Sequence, residues 1–524
     1  MKLIPFSMCT GLALFGSIAC GSTAKPGSTI GTTAGAGPMM AAGGASQGAG
    51  GARTSSGGGE FLIPAAGGAM PSPGTMSCDG NTTTLSGFVY DPADKNPLYN
   101  ISVYVPDPMS PLPDLDSVPV ACGCSQLLPK KVLAIGAPTD AKGHFEIPCV
   151  PAGTVSVVVQ TGKWRRKYDN ITVLPNQANM APRLRLPANS AEGSLPNIAI
   201  STGGSDSFEC LPLRLGVSAS EYVAGSATGG HIHIYTGHNG AQPAQGSVES
   251  YQSLWDTQKH LNEHDVVILS CEGDETTGGG VAAPRVTPAS QTLLMNYANT
   301  GGRVFASHFQ YAWFNTGPFA AGANNLATWV TGRAVIDDSQ SFPAEIDTTL
   351  KSGAAFPEGA ALAQWLGGVG ALTNNQLPVW FARNNVRALM QPPSTEWLHL
   401  SASASAAASS TQYFSVDTPV GAAAKDLCGR VVYSDLHVSG GPGTNAPGVP
   451  ADYAAGGGPG AGGGPGAGGR PGGPGVPVLQ QGGTVPSGCA QHPLTPQEAA
   501  LEFMLFDLSS CLVPIGEEPP VVIR

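Results

Sequence analysis

Three side chains that can transfer protons or bind metal lie at the ends of predicted strands. His308 closes a predicted strand at residues 303–308, and Asp435 and His437 close another at residues 429–437. The carboxyl ends of parallel strands meet at one edge of a sheet, where open α/β sheets bind their ligands. Histidine and aspartate can act as general acid and base, and imidazole also binds transition metals. If the chain is catalytic, we therefore expect hydrolysis at these three residues; hydrogen-bonded structural histidines are the alternative.

Two more reactive side chains follow the predicted strand at residues 265–270. Cys271 and Glu272 come directly after it, which makes Cys271 a candidate nucleophile. In an exported chain with many cysteines a disulfide is the alternative, and Cys210, at the same sheet edge, is then its expected partner. A further candidate group of histidines lies within and just after the predicted strand at residues 231–235. It consists of His231, His233 and His238, and the first two point to one face of the strand.

The cysteines predict a disulfide-bonded protein. Of eleven, Cys9 and Cys20 belong to the N-terminal export segment. The others should form disulfides with one thiol left over: Cys78, Cys122, Cys124, Cys149, Cys210, Cys271, Cys428, Cys489 and Cys511. The one-residue spacing of Cys122 and Cys124 is not that of a zinc ribbon, and we expect no metal and no cofactor. Because Cys489 ends a low-complexity insert, we expect it to pair with Cys428 or Cys511, with Cys428 favoured since that bridge closes the insert.

The N-terminus predicts export. Residues 1–20 have a positive Lys2, an apolar stretch and a small-residue ending before Cys20, as a bacterial signal peptide does. The sequence Ser17-Ile18-Ala19-Cys20 resembles a lipobox, in which the cysteine is acylated; cleavage without lipid is the alternative. We therefore expect a lipoprotein of the outer membrane or cell surface, or else a periplasmic or secreted protein, with the lipid as its only membrane contact.

Composition excludes one class of partner and locates two segments that cannot form a core. The net charge is −11 with 12% charged residues, so the chain lacks the excess of basic residues that binds nucleic acid. Residues 21–77 and the insert at 439–487 are rich in Gly, Ala, Ser and Pro, and we expect both to be disordered. They leave a first folded region at 78–190, a second at 195–512 that contains the insert, and a tail at 513–524.

The two folded regions differ in their pattern. Short β-rich runs separated by turn residues fill the first, at 84–90, 101–105, 144–147, 154–161 and 170–174, and they predict an antiparallel β-sandwich. Strands alternate with helices in the second, which predicts a mostly parallel, doubly wound α/β sheet. Residues 495–509 read as a helix with a capping box at Thr495 and Glu498, and Leu501, Met504, Leu505 and Leu508 lie on one face of it.

One basic segment of the first region could bind a ligand. Trp164, Arg165 and Arg166, flanked by Lys163 and Lys167, combine an aromatic ring with cations in a charge-poor chain. Such a surface can stack on a sugar or pair with an anionic polymer. The alternative, which we favour, is a hairpin end whose charges keep an edge strand soluble.

Four blocks of the first region resemble the carboxypeptidase regulatory-like module. They are Gly87-Phe88-Val89-Tyr90-Asp91, residues 97–105, residues 139–145 and Val150-Pro151-Ala152-Gly153. The resemblance implies a transthyretin-like sandwich with a carbohydrate-binding-like fold, and glycan binding as an expectation.

Two strands of the second region resemble the class I glutamine amidotransferase-like fold, including its trehalose-utilisation ThuA-like branch. They are Asp265-Val266-Val267-Ile268-Leu269 and Gly301-Gly302-Arg303-Val304-Phe305. That family places a cysteine on a tight turn after the second strand, but this chain reads Ala306-Ser307-His308-Phe309-Gln310 there. Without that cysteine and a flanking glycine we expect no amidotransferase reaction, and the bulky flank argues against a strained turn.

Taken whole, residues 85–511 resemble a group of myxobacterial-type exported proteins with a carboxypeptidase regulatory-like domain. The sequence segments that support this resemblance include Gly162-Lys163-Trp164-Arg165-Arg166 and Leu269-Ser270-Cys271-Glu272-Gly273. The leading expectation is a non-catalytic envelope protein that binds a glycan or a surface protein. The alternative is an envelope hydrolase that acts through the α/β region.

Overall fold

The computed structural model describes residues 78, 80–238, 240–241, 249–273, 286–401, 410–437, 485–486, 489 and 492–520. The predicted signal peptide with Cys20, the stalk at 21–77 and nearly all of the insert at 439–487 lie outside these residues. No helix within the described ranges is long and apolar enough to span a membrane.

Residues 80–190, called the β-region below, form two four-stranded sheets. The strands are β1 (Thr84–Tyr90), β2 (Ser102–Pro106), β3 (Val132–Ile135), β4 (His144–Ile147), β5 (Gly153–Thr161), β6 (Trp164–Val173), β7 (Ala178–Met180) and β8 (Leu184–Arg185). One sheet has the order β4-β1-β7 with β8 also beside β1, and the other has the order β3-β2-β5-β6. Pairing is antiparallel except that β1 runs parallel to β7 and β8. The predicted antiparallel pairing therefore fails at β1, because the chain crosses over before returning beside it.

The second region is built on a sheet of ten strands with a separate two-stranded ribbon. The ten are β9 (Ile198–Ser201), β10 (Tyr222–Ala224), β11 (Ile232–Tyr235), β12 (Val266–Leu269), β13 (Arg303–Ser307), β15 (Ser341–Ile346), β16 (Leu377–Trp380), β18 (Thr395–Leu400), β19 (Thr411–Thr418) and β20 (Gly429–Ser434). The ribbon pairs β14 (Ala327–Trp329) with β17 (Val386–Leu389). The sheet order is β10-β11-β9-β12-β13-β20-β19-β18-β15-β16. The strands from β10 to β20 in this order are parallel, as predicted, and the remaining four are antiparallel, so the sheet as a whole is mixed.

Helices cover both faces of the parallel half. They are α1 (Leu211–Arg214), α2 (Tyr251–Leu254), α3 (Gln258–Asn262), α4 (Pro288–Asn299), α5 (Pro357–Gly368) and α6 (Pro496–Ser509). Alternate residues of each strand face opposite sides: Ile268 packs in one core with α1, α5 and α6, while Val267 packs in the other with α2, α3 and α4. Burial on both faces explains why β12 is an unbroken apolar run.

Helix α6 lies between the sheet and the β-region. Its predicted capping box is present, with the Thr495 hydroxyl accepting from the Glu498 N–H and the Glu498 carboxylate accepting in return. Phe503 stacks on Tyr99 of the β-region with ring centroids 5.6 Å apart. The prediction of a single apolar face is therefore too narrow: nearly every residue of α6 is buried, because the β-region covers the side that we expected to face water. All these elements belong to one compact unit.

Four disulfides join the described cysteines, and they correct two predicted pairings. The bonds are Cys78–Cys149, Cys122–Cys428, Cys124–Cys511 and Cys210–Cys489. The predicted bridge from Cys489 to Cys428 or Cys511 is wrong, because the loop after β2 reaches across and takes both of those partners. The predicted Cys210–Cys271 bridge is wrong as well. One thiol is left over, as predicted, and it is the buried Cys271.

Candidate functional site

Four reactive side chains meet at the carboxyl edge of the parallel strands. Asp206 follows β9, Cys271 follows β12, His308 follows β13 and His437 follows β20. The chain leaves β9 toward β10 and β11 on one side, whereas the connections after β12 run to the other side. The four residues therefore surround the topological switch point, where sheets of this kind bind ligands.

Cys271 and His308 form a hydrogen-bonded pair. The Cys271 sulfur lies 3.2 Å from His308 Nδ1, and the Cys271 N–H donates to the Ser307 hydroxyl at 2.9 Å. His308 Nε2 lies 3.3 Å from the Arg333 carbonyl oxygen. Because a carbonyl can only accept, Nε2 carries the ring proton, and Nδ1 presents its lone pair to the sulfur.

Asp206 connects the second histidine to this pair. One oxygen of its carboxylate, Oδ2, lies 3.2 Å from His437 Nδ1 and accepts from the Ser307 hydroxyl at 2.7 Å. The rings of His308 and His437 meet edge to face, with centroids 4.6 Å apart. Ser307 therefore joins the two halves of the site, since it accepts from Cys271 and donates to Asp206.

Burial keeps the thiol and the first imidazole uncharged. The side chains of Cys271 and His308 are 0% and 1% exposed. Desolvation, reinforced by the charge of Asp206, raises the pKa of the Cys271 thiol far above its usual value. Desolvation, with the neighbouring His437 and Arg383, holds the pKa of His308 well below its ordinary value. The resting pair is a neutral thiol that donates to a neutral imidazole.

His308 has a strained backbone. Its φ is +41°, in the left-handed region that residues other than glycine rarely adopt. This is the turn where the sequence argued against strain, so that expectation is wrong. Such strain costs on the order of 1–3 kcal/mol and is characteristic of functional sites.

Asp435 does not join the histidines. Its Oδ2 accepts from the backbone N–H groups of Asn385 and Val386 at 2.7 and 3.1 Å, and its Oδ1 lies 3.0 Å from the Tyr433 hydroxyl. Burial raises the pKa of Asp435 to about 6. The predicted cluster of His308, Asp435 and His437 is therefore corrected: Asp435 fixes the start of β17, and Asp206 is the carboxylate beside the histidines. Sequence reasoning missed Asp206, although its place after the first strand of the sheet was a usable signal.

Glu272 and the remaining candidate histidines make contacts of their own. Glu272 is buried and accepts from the His238 N–H at 3.2 Å. His231 binds Glu221 at 2.7 Å, whereas His233 Nδ1 lies 2.7 Å from the Gly225 carbonyl oxygen. His231, His233 and His238 thus do not form one cluster, which favours the structural alternative for the first two.

The predicted binding segment of the β-region is turned inward. Trp164 is 2% exposed, and its ring centroid lies 5.7 Å from that of Phe506 in α6. Arg166 donates to Glu192 at 2.9 Å and lies over the Tyr168 ring, and Arg165 is partly buried. Trp164 is therefore a packing residue and not an exposed stacking platform. The hairpin end is confirmed, since β5 and β6 meet at this point.

Two groups of side chains within the described residues have donor atoms close enough to hold a metal ion. Cys271, His308 and His437 offer ligand atoms within 4.8 Å of one another, and all three are buried. The other group is Asp347, Glu396 and His399, which are partly exposed. In that group His399 already pairs with Asp347 at 3.2 Å, and Glu396 accepts from Thr411.

Comparison with known proteins identifies no family. No protein-family model matches the chain, and no curated protein matches it. A type II cohesin–X-dockerin complex from Acetivibrio cellulolyticus is 16% identical over 29% of this chain and 88% of that chain, with a TM-score of 0.15. A 9R-lipoxygenase from Cyanothece is 17% identical over 23% of this chain and 18% of that chain, with a TM-score of 0.14. Likenesses this slight carry no argument about fold or function.

Proposed function

We propose that the α/β region is the catalytic part of an exported envelope hydrolase, and that Cys271, His308 and His437 perform the chemistry. The observation that carries the proposal is the convergence of these side chains, with Asp206, from four strand ends at the switch point. A hydrolase requires a proton acceptor held in one tautomer beside a polar group that it can activate. His308, fixed by the Arg333 carbonyl and facing the Cys271 sulfur at 3.2 Å, meets that requirement.

This choice reverses the order of the two functions expected from sequence. Glycan or protein binding remains a proposal, but Trp164 is buried and Arg166 is paired, so these two side chains do not support it. The hydrolase gains a buried thiol–imidazole pair and a strained histidine. We assign the β-region a supporting role, because it packs on α6 and through α6 on the sheet.

We also propose that the protein is anchored outside the cytoplasm by a lipid on Cys20. Four disulfides among the described residues support an oxidising compartment. The carboxypeptidase regulatory-like and amidotransferase-like resemblances belong to the same proposal, and the two sheets of the β-region and the parallel half of the large sheet are compatible with them. Fatty-acid labelling tests the anchor: it should depend on Cys20, and labelling that persists in Cys20→Ala contradicts it.

The hydrolase proposal is tested with the full chain and a panel of chromogenic esters, amides, phosphoesters and glycosides. We expect turnover of at least one class, lost at least 100-fold in His308→Ala and in His437→Ala. His260→Ala is the matched control, because His260 pairs with Asp256 on the surface of α3, away from the sheet edge. Absence of turnover with every substrate, or equal turnover in His308→Ala and His260→Ala, contradicts the proposal.

A further inference from the structure

We propose that Cys271, His308 and His437 form a zinc site that holds one divalent ion and leaves a fourth coordination position open. The inference rests on the proposed hydrolase and changes the role of two of its residues. With Cys271 Sγ and His308 Nδ1 as ligands, the group to be activated would be a water at the open position and not the Cys271 thiol.

The spacing of the donor atoms fits such an ion. A tetrahedral zinc ion with one sulfur and two nitrogen ligands places its ligand atoms roughly 3.3–3.6 Å apart. Cys271 Sγ and His308 Nδ1 are 3.2 Å apart, and a ring nitrogen of His437 lies within 4.8 Å of both. Small side-chain shifts would bring all three donor atoms within coordination distance of one ion.

Each imidazole is already oriented by a hydrogen bond at its other ring nitrogen. The Arg333 carbonyl holds His308 Nε2, and this leaves Nδ1 as the ligand. The Asp206 carboxylate holds His437 Nδ1, and this leaves Nε2 with the lone pair. Metal-binding histidines characteristically donate their other N–H to a carboxylate or a backbone carbonyl, and both arrangements occur here.

Two features of the cluster are unusual for residues with only a structural role. Eight of the nine described cysteines are in disulfides, whereas Cys271 is a free thiol with donor atoms of two histidines within 4.8 Å. A structural residue at position 308 would not need to be histidine in a left-handed conformation. A role as metal ligands accounts for both features.

The donor set selects the ion. One thiolate and two imidazoles suit a borderline-soft cation and not Ca²⁺ or Mg²⁺, which take oxygen ligands. On binding, the Cys271 thiol loses its proton to solvent and the sulfur coordinates as thiolate, with no change in oxidation state.

The test uses the full-length, disulfide-bonded protein. It is loaded with zinc sulfate, dialysed against metal-free buffer and assayed for bound zinc by elemental mass spectrometry. We expect one zinc ion per chain, loss of bound zinc in Cys271→Ala and His437→Ala, and a 10- to 100-fold weaker affinity in Asp206→Asn. His399→Ala, which alters the other donor group, is the control and should retain zinc.

A second measurement does not depend on how well the variants fold. Wild-type protein loaded with Co²⁺ should show a thiolate-to-cobalt charge-transfer band. Failure to retain zinc together with the absence of this band, or loss of zinc only in His399→Ala, would overturn the zinc site. Bound zinc without turnover of any panel substrate supports this inference while contradicting the hydrolase. Turnover by a wild-type protein that binds no zinc supports the hydrolase and contradicts the zinc site.

Discussion

The Oδ2 atom of Asp206 lies 3.2 Å from Nδ1 of His437, although the two residues are 231 positions apart in the chain. The contact forms because β9 and β20 both belong to the parallel half of the sheet and end at the same edge of it. It fixes the His437 ring with Nδ1 toward the carboxylate. A carboxylate–histidine pair beside a second histidine and a thiol is the arrangement on which the functional proposals rest.

Burial of Trp164 predicts a large loss of stability when its ring is removed. The side chain packs against Phe506, so Trp164→Ala should lower the free energy of unfolding by about 3–5 kcal/mol. Phe88→Ala, at a ring that is 39% exposed, is the control and should cost less than about 1.5 kcal/mol. Denaturant titration measures both. Equal, small losses would mean that Trp164 is exposed in solution, as a sugar-stacking role requires.

The disulfides from the loop after β2 should contribute to the stability of the whole unit. Cys124–Cys511 closes a separation of 387 residues and joins the β-region to the end of α6. The double variant Cys124→Ser/Cys511→Ser should lower the free energy of unfolding by about 2–5 kcal/mol. Nonreducing peptide mapping of the wild type should recover Cys210 linked to Cys489. A Cys489–Cys428 peptide would show that the connectivity is wrong.

Glu358 should make stability fall as the pH rises toward neutrality. Burial raises its pKa from 4.5 to about 7, and the nearby charge of Asp507 acts in the same direction. The folded state therefore keeps a proton that the unfolded state has lost, so this contribution is complete below pH 4.5 and disappears as the pH passes 7. Its size is on the order of 1–3 kcal/mol.

The variant Glu358→Gln isolates that effect. Between pH 4.5 and 7.5 the wild type should lose stability relative to Glu358→Gln, whereas the exposed Glu146→Gln variant should follow the wild type. Denaturant titrations at a series of pH values provide the comparison. Parallel pH profiles for wild type and Glu358→Gln would contradict a raised pKa at this carboxyl group.

Local patterns in the sequence predict the elements near the site closely. The apolar run of β12 and the capping box of α6 each follow from a handful of neighbouring residues, and the structure confirms both. The convergence of strand ends brings His308 and His437 together, as predicted. The first two features are encoded within one turn or one strand, and the third follows from the rule that parallel strands end at the same edge of a sheet.

The failures concern contacts between distant segments. Asp206 and Asp435 both follow strands. The backbone of the loop that contains Asn385 binds the Asp435 carboxylate, so Asp206 is the carboxylate beside the histidines. Among its sequence neighbours Trp164 resembles a surface residue. It is buried because α6, which is distant in the chain, packs against it. The pairing of Cys489 depends on where the loop after β2 reaches. None of these outcomes can be read from spacing along the chain, because each depends on tertiary packing.

The most direct test of a single site formed by Cys271, His308 and His437 is X-ray absorption at the zinc edge on the loaded, full-length protein. Zinc bound by these side chains should show one sulfur at about 2.3 Å and two imidazole nitrogens at about 2.0–2.1 Å, with a lighter ligand in the open position. The sulfur shell should vanish in Cys271→Ala. A wild-type spectrum with only oxygen and nitrogen ligands would contradict the account, since it would place the ion away from Cys271.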